Sequence, residues 1–287
     1  MTMLIDCHTH VGPTWINTEP LTPDTLIEWM DNSGIDRAVL LPLESPSAAS
    51  YYSTTRSILD VADDHPERFI PFCSFDPRVD LGSGAFVESR RDGFRQLIEQ
   101  SVEGGARGFG EIKCNLPIDD DRMQLIYELC GEFELPMLFH LDDRSMTDEV
   151  GLPGLERMLD RYPDTAFIMH SHGWWAHISA DVEPEDMARG AMPDGPVVDG
   201  GRCDELLDSY DNLFADISAG SGWNALVRDE DYARTFLERH HEQVLFGTDK
   251  SYAGFEPQHT EMFDRFSLPG AVRKNIAHRN IERLLRA

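Results

Sequence analysis

Apolar and polar residues follow one another along this chain in a repeating order. Short apolar or β-branched runs, which are typical of buried strands, alternate with longer stretches whose apolar residues recur at helical spacing. The order predicts repeated strand–helix units. The predicted strands are Leu4–His10, Ala38–Leu43, Phe69–Phe75, Gly108–Asn115, Pro136–Leu141, Ala166–His170, Leu213–Ile217 and Val244–Thr248.

The stretches between the strands predict the helices. Thr22 before the first helix and Asp119-Asp120-Asp121 before the fourth are suitable helix caps. Eight strand–helix pairs predict an α/β protein with a closed (β/α)8 barrel, the TIM-barrel fold, and residues 1–287 form a single predicted domain because no linker divides them. An open doubly wound sheet is the alternative, since strand order cannot be derived from a sequence. The predicted helices are Asp24–Ser33, Thr54–His65, Phe86–Gly104, Arg122–Phe133, Leu155–Tyr162, Cys203–Tyr210, Tyr232–His240, Glu256–Phe266 and a closing helix at Asn280–Arg286.

One segment breaks this order. Between Trp174 and Arg202 the chain is rich in proline, glycine and acidic residues and shows little periodicity. A long irregular connection inside a compact domain is usually a lid or a binding loop, and in a barrel this one would follow strand six at the catalytic rim. Trp174 and Trp175 are predicted either to form an aromatic wall of a pocket or to anchor the segment. The alternative for the whole segment is a solvated excursion that binds nothing.

Composition narrows the class of protein. The chain has 52 Asp and Glu against 25 Lys and Arg, a formal net charge of −27, with a hydrophobic fraction of 41%. Disorder requires high charge together with few apolar residues, so this chain is predicted to fold around a sizeable core. Because an acidic surface repels phosphate backbones and anionic membranes, we expect no nucleic-acid partner and no membrane partner.

The types of charged residue and the cysteines indicate the salt concentration and the redox compartment in which the protein works. Only Lys113, Lys250 and Lys274 are lysine, and a surface rich in Asp and Glu stays hydrated where salt is concentrated, which predicts a halophilic protein. An ordinary acidic enzyme is the alternative. The five cysteines are widely spaced without a CxxC, and no long apolar run or signal-like segment is present. We therefore expect a cytoplasmic protein with reduced thiols.

The first predicted strand ends on Asp6-Cys7-His8-Thr9-His10. His8 and His10 are two residues apart, so on a strand both imidazoles project from the same face and can bind one metal ion. Asp6 lies on that face one pleat deeper, where we expect it to orient an imidazole as a hydrogen-bond acceptor. An HxH pair alone is common by chance, so the other strand ends have to decide whether this is a metal site.

Four further apolar runs end on a polar side chain, namely Glu111, His140, His170 and Asp249. A buried polar residue is costly unless it is paired or coordinated, so this many endings of one kind are not expected by accident. A single histidine such as His140 would be interpreted as a hydrogen-bonded core residue. The set predicts a divalent metal site, with zinc as the first choice and manganese, iron or nickel as the others.

With these motifs the chain resembles the metal-dependent amidohydrolase superfamily, and within it the amidohydrolase-related branch that also contains nonoxidative decarboxylases. The resemblance runs from Asp6-Cys7-His8-Thr9-His10 through Phe246-Gly247-Thr248-Asp249 to the closing Asn280-Ile281-Glu282-Arg283-Leu284-Leu285. It implies a (β/α)8 barrel, a divalent ion held by the histidines of the first strand, and an aspartate at the end of strand eight. It also implies a homo-oligomer as one option.

The resemblance assigns metal-ligand roles by motif. His8 and His10 match the first-strand pair, His140 matches the strand-five ligand, and Asp249 matches the strand-eight aspartate. The strand-six histidine, His170, is a catalytic group in mononuclear relatives and a ligand in binuclear ones. The number of bound ions, one or two, therefore stays open.

A bridging acidic group on strand four belongs to the binuclear relatives. Glu111 and Lys113 share a strand face, and either fits, the lysine after carboxylation. His172 departs from the residue type expected after the strand-six histidine, so its role is open, and we favour His170 as the working group because it directly ends the apolar run.

The chemistry follows from such a site. A bound Zn²⁺-type ion lowers the pKa of water from 15.7 to roughly 7. Asp249 can take the proton of that water, while His170 polarises a carbonyl or protonates a leaving group. We expect a hydrolase for an amide, lactone or related bond of a small molecule. The alternatives are a nonoxidative decarboxylase and, from another class, a barrel that binds metal and small molecules without turnover.

Other residues are weaker candidates. Ser218-Ala219-Gly220-Ser221-Gly222 lacks the spacing of a nucleophile elbow and predicts a tight rim loop, with substrate binding as the alternative. Arg228 or Lys250 near the rim is a candidate for holding a substrate carboxylate, and a surface salt bridge is the alternative. The histidines interpreted as surface or structural residues are His65, His177, His240, His241, His259 and His278.

Overall fold

All eight predicted strands are present in the structure, a computed structural model that describes residues 3–81 and 89–285. Seven of them lie within the predicted ranges, and the second begins one residue earlier, at Arg37. We number them β1 (Ile5–Thr9), β2 (Arg37–Leu40), β3 (Phe69–Pro71), β4 (Phe109–Ile112), β5 (Met137–His140), β6 (Phe167–His170), β7 (Leu213–Asp216) and β8 (Val244–Leu245).

The strands close into a barrel. Strands β1, β2 and β3 form one hydrogen-bonded sheet, and β4 to β8 form a second one in chain order. Two parallel bridges join the sheet edges, Cys73 with Phe109 on one side and Thr9 with Lys250 on the other. All pairs between neighbouring strands of β1–β8 are parallel. The closed ring confirms the (β/α)8 barrel and excludes the open doubly wound sheet.

The helices follow from capping and periodicity. The hydroxyl of Thr22 accepts a hydrogen bond from the backbone N–H of Thr25, and Asp120 caps the fourth helix by accepting from the N–H of Arg122. The first helix ends at Gly34, whose φ of 71° suits a residue without a side chain. The helices are α1 (Pro23–Ser33), α2 (Thr55–Asp64), α3 (Arg90–Glu103), α4 (Asp121–Glu132), α5 (Pro153–Arg161), α6 (His172–Ala176), α7 (Arg202–Ser209), α8 (Ala219–Val227), α9 (Glu230–Arg239), α10 (Met262–Arg265), α11 (Gly270–Lys274) and α12 (Asn280–Leu284).

Several predicted boundaries are wrong or untested. The predicted helix Glu256–Phe266 is only a 3-10 turn at His259–Glu261 followed by α10. The segment Ser218–Gly222, predicted as a rim loop, opens helix α8 instead. Residues 86–88 of the predicted third helix and residue 286 of the closing one lie outside the described residues. The segment after α6 is irregular as predicted, apart from a 3-10 turn at Pro184–Met187.

Two apolar clusters support the barrel. One cluster takes residues from different strands, such as Ile5, Val39, Leu138 and Phe214, so it fills the inside of the barrel beneath the strand ends. Ile281 of α12 packs into the same cluster. The larger cluster joins the outer strand faces to the helices, as in β/α barrels generally. Within the described ranges, none of the helices combines the length and apolar character that a membrane span requires.

Candidate metal centre

Five predicted side chains converge where the strands end. The Nε2 atoms of His8 and His10, both from the end of β1, are 3.2 Å apart. Oδ1 of Asp249, just after β8, lies 3.6 Å from Nε2 of His8 and 3.4 Å from Nε2 of His10. Glu111 of β4 brings Oε2 to 3.3 Å from Nε2 of His10, and Nε2 of His170 lies 3.8 Å from Oε1 of Glu111. The parallel strands thus deliver these groups to one point.

The ring orientation of each histidine is set from outside the centre. Nδ1 of His8 donates to Oδ2 of Asp216 at 2.7 Å, and Nδ1 of His10 donates to the carbonyl of Leu41 at 2.9 Å. Because Nδ1 of both rings is engaged, Nε2 is the atom that faces the centre. Fixing Nδ1 with a carboxylate or a carbonyl is the usual way in which proteins orient a metal-binding histidine.

His170 is held in a similar way. Its Nδ1 lies 2.9 Å from the hydroxyl oxygen of Ser218, and that hydroxyl donates to Oδ2 of Asp216 at 2.7 Å. The hydroxyl therefore accepts from Nδ1–H of His170, and Nε2 carries the lone pair. This Nε2 is buried and has no hydrogen-bond partner among residues 3–81 and 89–285. An orphaned lone pair aimed at carboxylates and imidazoles indicates that something else belongs between them.

Glu111 lies at the middle of the cluster. Nδ1 of His140 is 2.6 Å from its Oε1, and the ammonium of Lys113 is 2.7 Å from its Oε2. The sequence left open whether Glu111 or Lys113 contributes the acidic group. The structure puts the carboxylate of Glu111 among the histidines and makes Lys113 its counter-charge. Glu111, His140 and His170 also form a second set of candidate ligands beside that of His8 and His10.

The electrostatics of the centre favour a cation. Burial lowers the pKa of His8, but Glu111, Asp249 and Asp216 together raise it well above its ordinary value, so the site strongly prefers a positive charge. Burial raises the pKa of Glu111, whereas the ammonium of Lys113 and the ring of His8 hold it well below the usual range. Ionised carboxylates and accessible imidazole nitrogens are the form in which such groups bind metal.

The donor set therefore fits a divalent ion. Ligand bonds of 2.0–2.2 Å to one ion hold neighbouring donors roughly 2.8–3.6 Å apart. The separations of the Nε2 atoms of His8 and His10 from each other and from Asp249 lie in this range. Imidazole and carboxylate ligands suit zinc, manganese, iron and nickel alike.

The backbone is strained where the site is built. Three residues within four positions of a strand end have positive φ without being glycine: Ser171 with 84°, Ala219 with 59° and Asp249 with 58°. Such conformations are costly and concentrate at functional sites. The strained positions follow β6, β7 and β8, so the same strand ends that deliver His170 and Asp249 also turn sharply.

Sequence reasoning missed Asp216 and Ser218. Asp216 ends β7, is fully buried and accepts hydrogen bonds from His8 and from Ser218. A Cβ at Gly247 would collide with Oδ1 of Asp216, so glycine is required where β8 passes this carboxylate. The signal was available, because Asp216 is a polar residue that ends an apolar strand, the pattern that identified the other site residues.

Some predicted roles are wrong. Asp6 does not orient an imidazole: its carboxylate accepts from the backbone N–H groups of His8 and Thr248 and from the Thr248 hydroxyl, so it ties β1 to β8. Lys250 cannot hold a substrate carboxylate, since its buried ammonium donates to backbone carbonyls of the following loop and to Glu256. Trp174 and Trp175 are buried anchors rather than a pocket wall.

The opening to the centre is narrow. The side chains of His8, His10, Glu111 and His170 are at most 1% exposed, whereas Asp249 is 19% exposed. The side chain of His140 is 11% exposed. A small molecule thus reaches the centre past Asp249 and His140.

A (β/α)8 barrel that gathers histidines and carboxylates at its carboxyl-terminal face defines the class of metal-dependent barrel enzymes. The chain belongs to the amidohydrolase family, whose model, described as Amidohydrolase, matches residues 5–287. No curated protein matches the chain.

Solved structures show the same fold. An uncharacterised TIM-barrel protein from Bordetella bronchiseptica has a TM-score of 0.67 at 16% identity, covering 99% of this chain and 98% of its own. A probable 2-pyrone-4,6-dicarboxylic acid hydrolase from Acinetobacter baumannii, with citric acid bound, has 0.60 at 14%, covering 99% of both chains. A dihydroxybenzoic acid decarboxylase from Polaromonas, with manganese and the inhibitor 2-nitroresorcinol, has 0.58 at 14%, covering 100% and 97%. At these identities the likeness concerns the fold.

Proposed function

We propose that this protein hydrolyses an amide, lactone or related C–N or C–O bond of a small molecule with the help of one divalent ion. His8, His10 and Asp249 would hold the ion, with Glu111 beside them. The single observation that carries the proposal is Asp249, a carboxylate within 3.6 Å of both Nε2 atoms and exposed toward the opening. Asp249 is therefore a charged group that both an entering substrate and a water molecule can contact.

The count of one ion rests on Glu111 and His140. Two donors on one ion are held at least about 2.8 Å apart by bonds of 2.0–2.2 Å. Nδ1 of His140 and Oε1 of Glu111 are 2.6 Å apart, which is the distance of a short hydrogen bond. His140 therefore acts on Glu111 as a donor in this proposal, and its role as a metal ligand, which the resemblance implies, stays a prediction.

The residues divide the proton transfers. A bound divalent ion would supply Lewis acidity, which acidifies a water and polarises a carbonyl. The carboxylate of Asp249 accepts the proton of the attacking water. Burial, with His8 and His140 nearby, lowers the pKa of His170, so its bare Nε2 first accepts a hydrogen bond and donates to the leaving atom only after it is protonated. His170 is shielded from bulk water, whereas Asp249 faces the opening through which water enters.

Decarboxylation is the second candidate, because a decarboxylase stands among the similar structures. In that reaction the carbon that loses CO2 receives one proton, and Asp249 or His170 is placed to deliver it. The two reactions differ in product and not in the groups required.

Other parts of the proposal concern the setting of the enzyme. We propose a cytoplasmic protein whose residues 1–287 form one domain and whose zinc site acts on a small molecule. The five cysteines are buried and unpaired, which agrees with a reducing compartment.

The experiment begins with metal. Protein purified without chelator is analysed for zinc, manganese, iron and nickel, and then screened for CO2 release from aromatic carboxylic acids beside a panel of lactones and amides. We expect about one ion per chain, and loss of turnover in His8→Ala and Asp249→Asn with the fold intact. Asp231→Asn serves as the matched control, because the Asp231 side chain is exposed at the surface. Activity that survives EDTA, or that survives either site substitution, would contradict the proposal, and metal without any turnover would favour the inactive binding barrel.

A further inference from the structure

The irregular segment between α6 and α7 reaches back to the metal centre at one short stretch. The backbone N–H of Arg189 donates to Asp143 at 2.9 Å, and that of Gly190 donates to Nε2 of His172 at 3.1 Å. A little further along, the carbonyl of Pro193 accepts from the side chain of Asn224 in α8 at 2.9 Å. Residues 189–193, which we call the strap, thus span the rim from the end of β5 to α8.

Arg189 is the charged residue of the strap. Its Nε donates to Oδ2 of Asp142 at 2.9 Å, and its Nη2 donates to the hydroxyl of Ser145 at 2.7 Å. The same Oδ2 of Asp142 lies 3.2 Å from Nε2 of His140. One carboxylate oxygen therefore joins Arg189 to the ring that holds Glu111. Arg189 is separated from the centre by only two side chains.

Only one edge of the guanidinium is used. Asp142 and Ser145 are buried and bind Nε and Nη2, whereas Nη1 makes no hydrogen bond to any residue in the described part of the chain. The Arg189 side chain is 37% exposed, and it stands beside His140, one of the two site residues that solvent reaches. A planar fork fixed on one edge presents the other edge for an anion.

The charges around the opening make this arginine distinctive. Asp249 is the carboxylate nearest to an entering molecule, and Lys113 is occupied by Glu111. Arg144, the neighbouring arginine on the β5 side, is 71% exposed and pairs with Asp143 outside the centre. Arg189 therefore supplies positive charge beside the opening, where the carboxylate of Asp249 would otherwise repel an anionic group at the remote end of a substrate.

We propose that Arg189 is a specificity-determining residue that binds an anionic group, a carboxylate or its equivalent, at the end of the substrate remote from the reacting bond. Asp142 and His172 are positioning residues: Asp142 orients the guanidinium, and His172 fixes the backbone of the strap at Gly190. The inference rests on the proposed function, because it takes the metal centre as the place where the other end of the substrate reacts. It also gives His172 a role that the sequence left open.

The geometry explains why a neutral residue would not replace Arg189. Hydrogen bonds that involve a charged partner contribute about 1.5–3 kcal/mol, which corresponds to roughly ten- to hundredfold in affinity. Asp142 keeps its other oxygen, Oδ1, for the backbone N–H groups of Arg144 and Ser145. The carboxylate that orients Arg189 is therefore itself held in place.

The test uses linear acids as probes and measures binding rather than turnover. Succinate, glutarate and adipate are titrated calorimetrically into metal-loaded full-length protein, each against the monocarboxylate of the same chain length. We expect at least one diacid to bind about tenfold or more tightly than its monoacid. In Arg189→Gln this advantage falls to near onefold while the monoacid affinity stays the same, Arg189→Lys retains part of it, and Arg144→Gln leaves it unchanged.

The outcomes separate the two proposals. A diacid advantage that is absent, or that persists in Arg189→Gln, overturns the role of Arg189 even if the metal binds and substrates turn over. Absence of a bound ion refutes the proposed function instead, and the titrations on metal-free protein still report whether Arg189 selects the second carboxylate. His172→Ala is expected to weaken diacid binding with little effect on monoacids, whereas His172→Gln, whose amide oxygen can take the place of Nε2 and accept from Gly190, restores it.

Discussion

Asp216 controls the ring of His8 without contacting the centre, so its replacement by asparagine tests how the site is organised. All its acceptor positions face donors: Oδ2 accepts from Nδ1 of His8 and from the Ser218 hydroxyl at 2.7 Å each, and Oδ1 accepts from the backbone N–H of Ser218 at 2.9 Å. Burial raises the pKa of Asp216, but His8 lowers it below the usual value, so the group is ionised.

Asparagine keeps the shape of this side chain and has only one acceptor. With its oxygen toward His8, its amide N–H2 faces the N–H of Ser218, and with the oxygen reversed, the N–H2 faces Nδ1–H of His8. In each arrangement two buried N–H donors face each other without an acceptor between them, which costs about 1–3 kcal/mol of stability. His8 can avoid the second conflict by moving its proton to Nε2, and it then ceases to be a metal ligand.

We therefore expect Asp216→Asn to weaken binding of zinc or manganese about ten- to hundredfold, the usual effect of removing a partner of a metal-binding histidine. Affinity is measured by competition with a fluorescent chelator, and circular dichroism verifies the fold. Ser218→Ala leaves the carboxylate of Asp216 on His8 and should lose less affinity, while Asp231→Asn should lose none. Metal affinity equal to that of the wild type in folded Asp216→Asn would refute the idea that Asp216 sets the His8 tautomer.

Two further predictions concern stability. Burial lowers the pKa of His259 from 6.5 to about 4, so the unfolded chain takes up this proton first as pH falls. The free energy of unfolding should therefore decrease by up to about 3 kcal/mol between pH 6.5 and pH 4. His259→Gln should flatten that decrease in denaturant titrations at pH 7.5 and 5, and an unchanged pH dependence would contradict the prediction. The acidic surface should make the melting temperature rise from dilute buffer to molar KCl as salt screens the self-repulsion, and equal melting temperatures in both would remove support for a halophilic protein.

The strands could be predicted from the sequence because each is a local apolar run. The barrel interior takes apolar residues from every strand except β4, and this demand leaves a recurring apolar residue in the sequence, such as Ile5, Val39 and Leu138. The polar strand ends were equally visible, because Glu111, for example, interrupts a run that must be buried. Hence the fold and most of the converging residues followed from one pattern.

What the sequence could not show is pairing over long distances. His8 and Asp216 are 208 positions apart in the sequence, and no local pattern predicts the hydrogen bond between Nδ1 of His8 and Oδ2 of Asp216. Helix α8 was missed for a related reason: Gly220 and Gly222 read as a loop by propensity, yet a Cβ at Gly222 would strike the carbonyl of Ile217, so glycine is there to let the helix pack against the end of β7. Tertiary contact overrode local preference.

Burial separates the acidic residues of the site from those of the surface. In the described part of the chain, the acidic residues that are almost fully buried are Asp6, Glu111, Asp142 and Asp216. Each contacts a candidate site histidine or its backbone. Burying a carboxylate is costly without partners, and these carboxylates are buried only around the metal centre, where they have hydrogen-bond partners.

The lysines follow the same division. Lys113 and Lys250 are buried as internal counter-charges, which leaves Lys274 as the one exposed lysine in the sequence. The excess of acid over base is therefore a property of the exposed residues, where arginine supplies nearly all of the positive charge. Because the surface and the centre use acidic side chains for different purposes, neutralising exposed carboxylates should change the salt dependence of stability and leave metal affinity untouched.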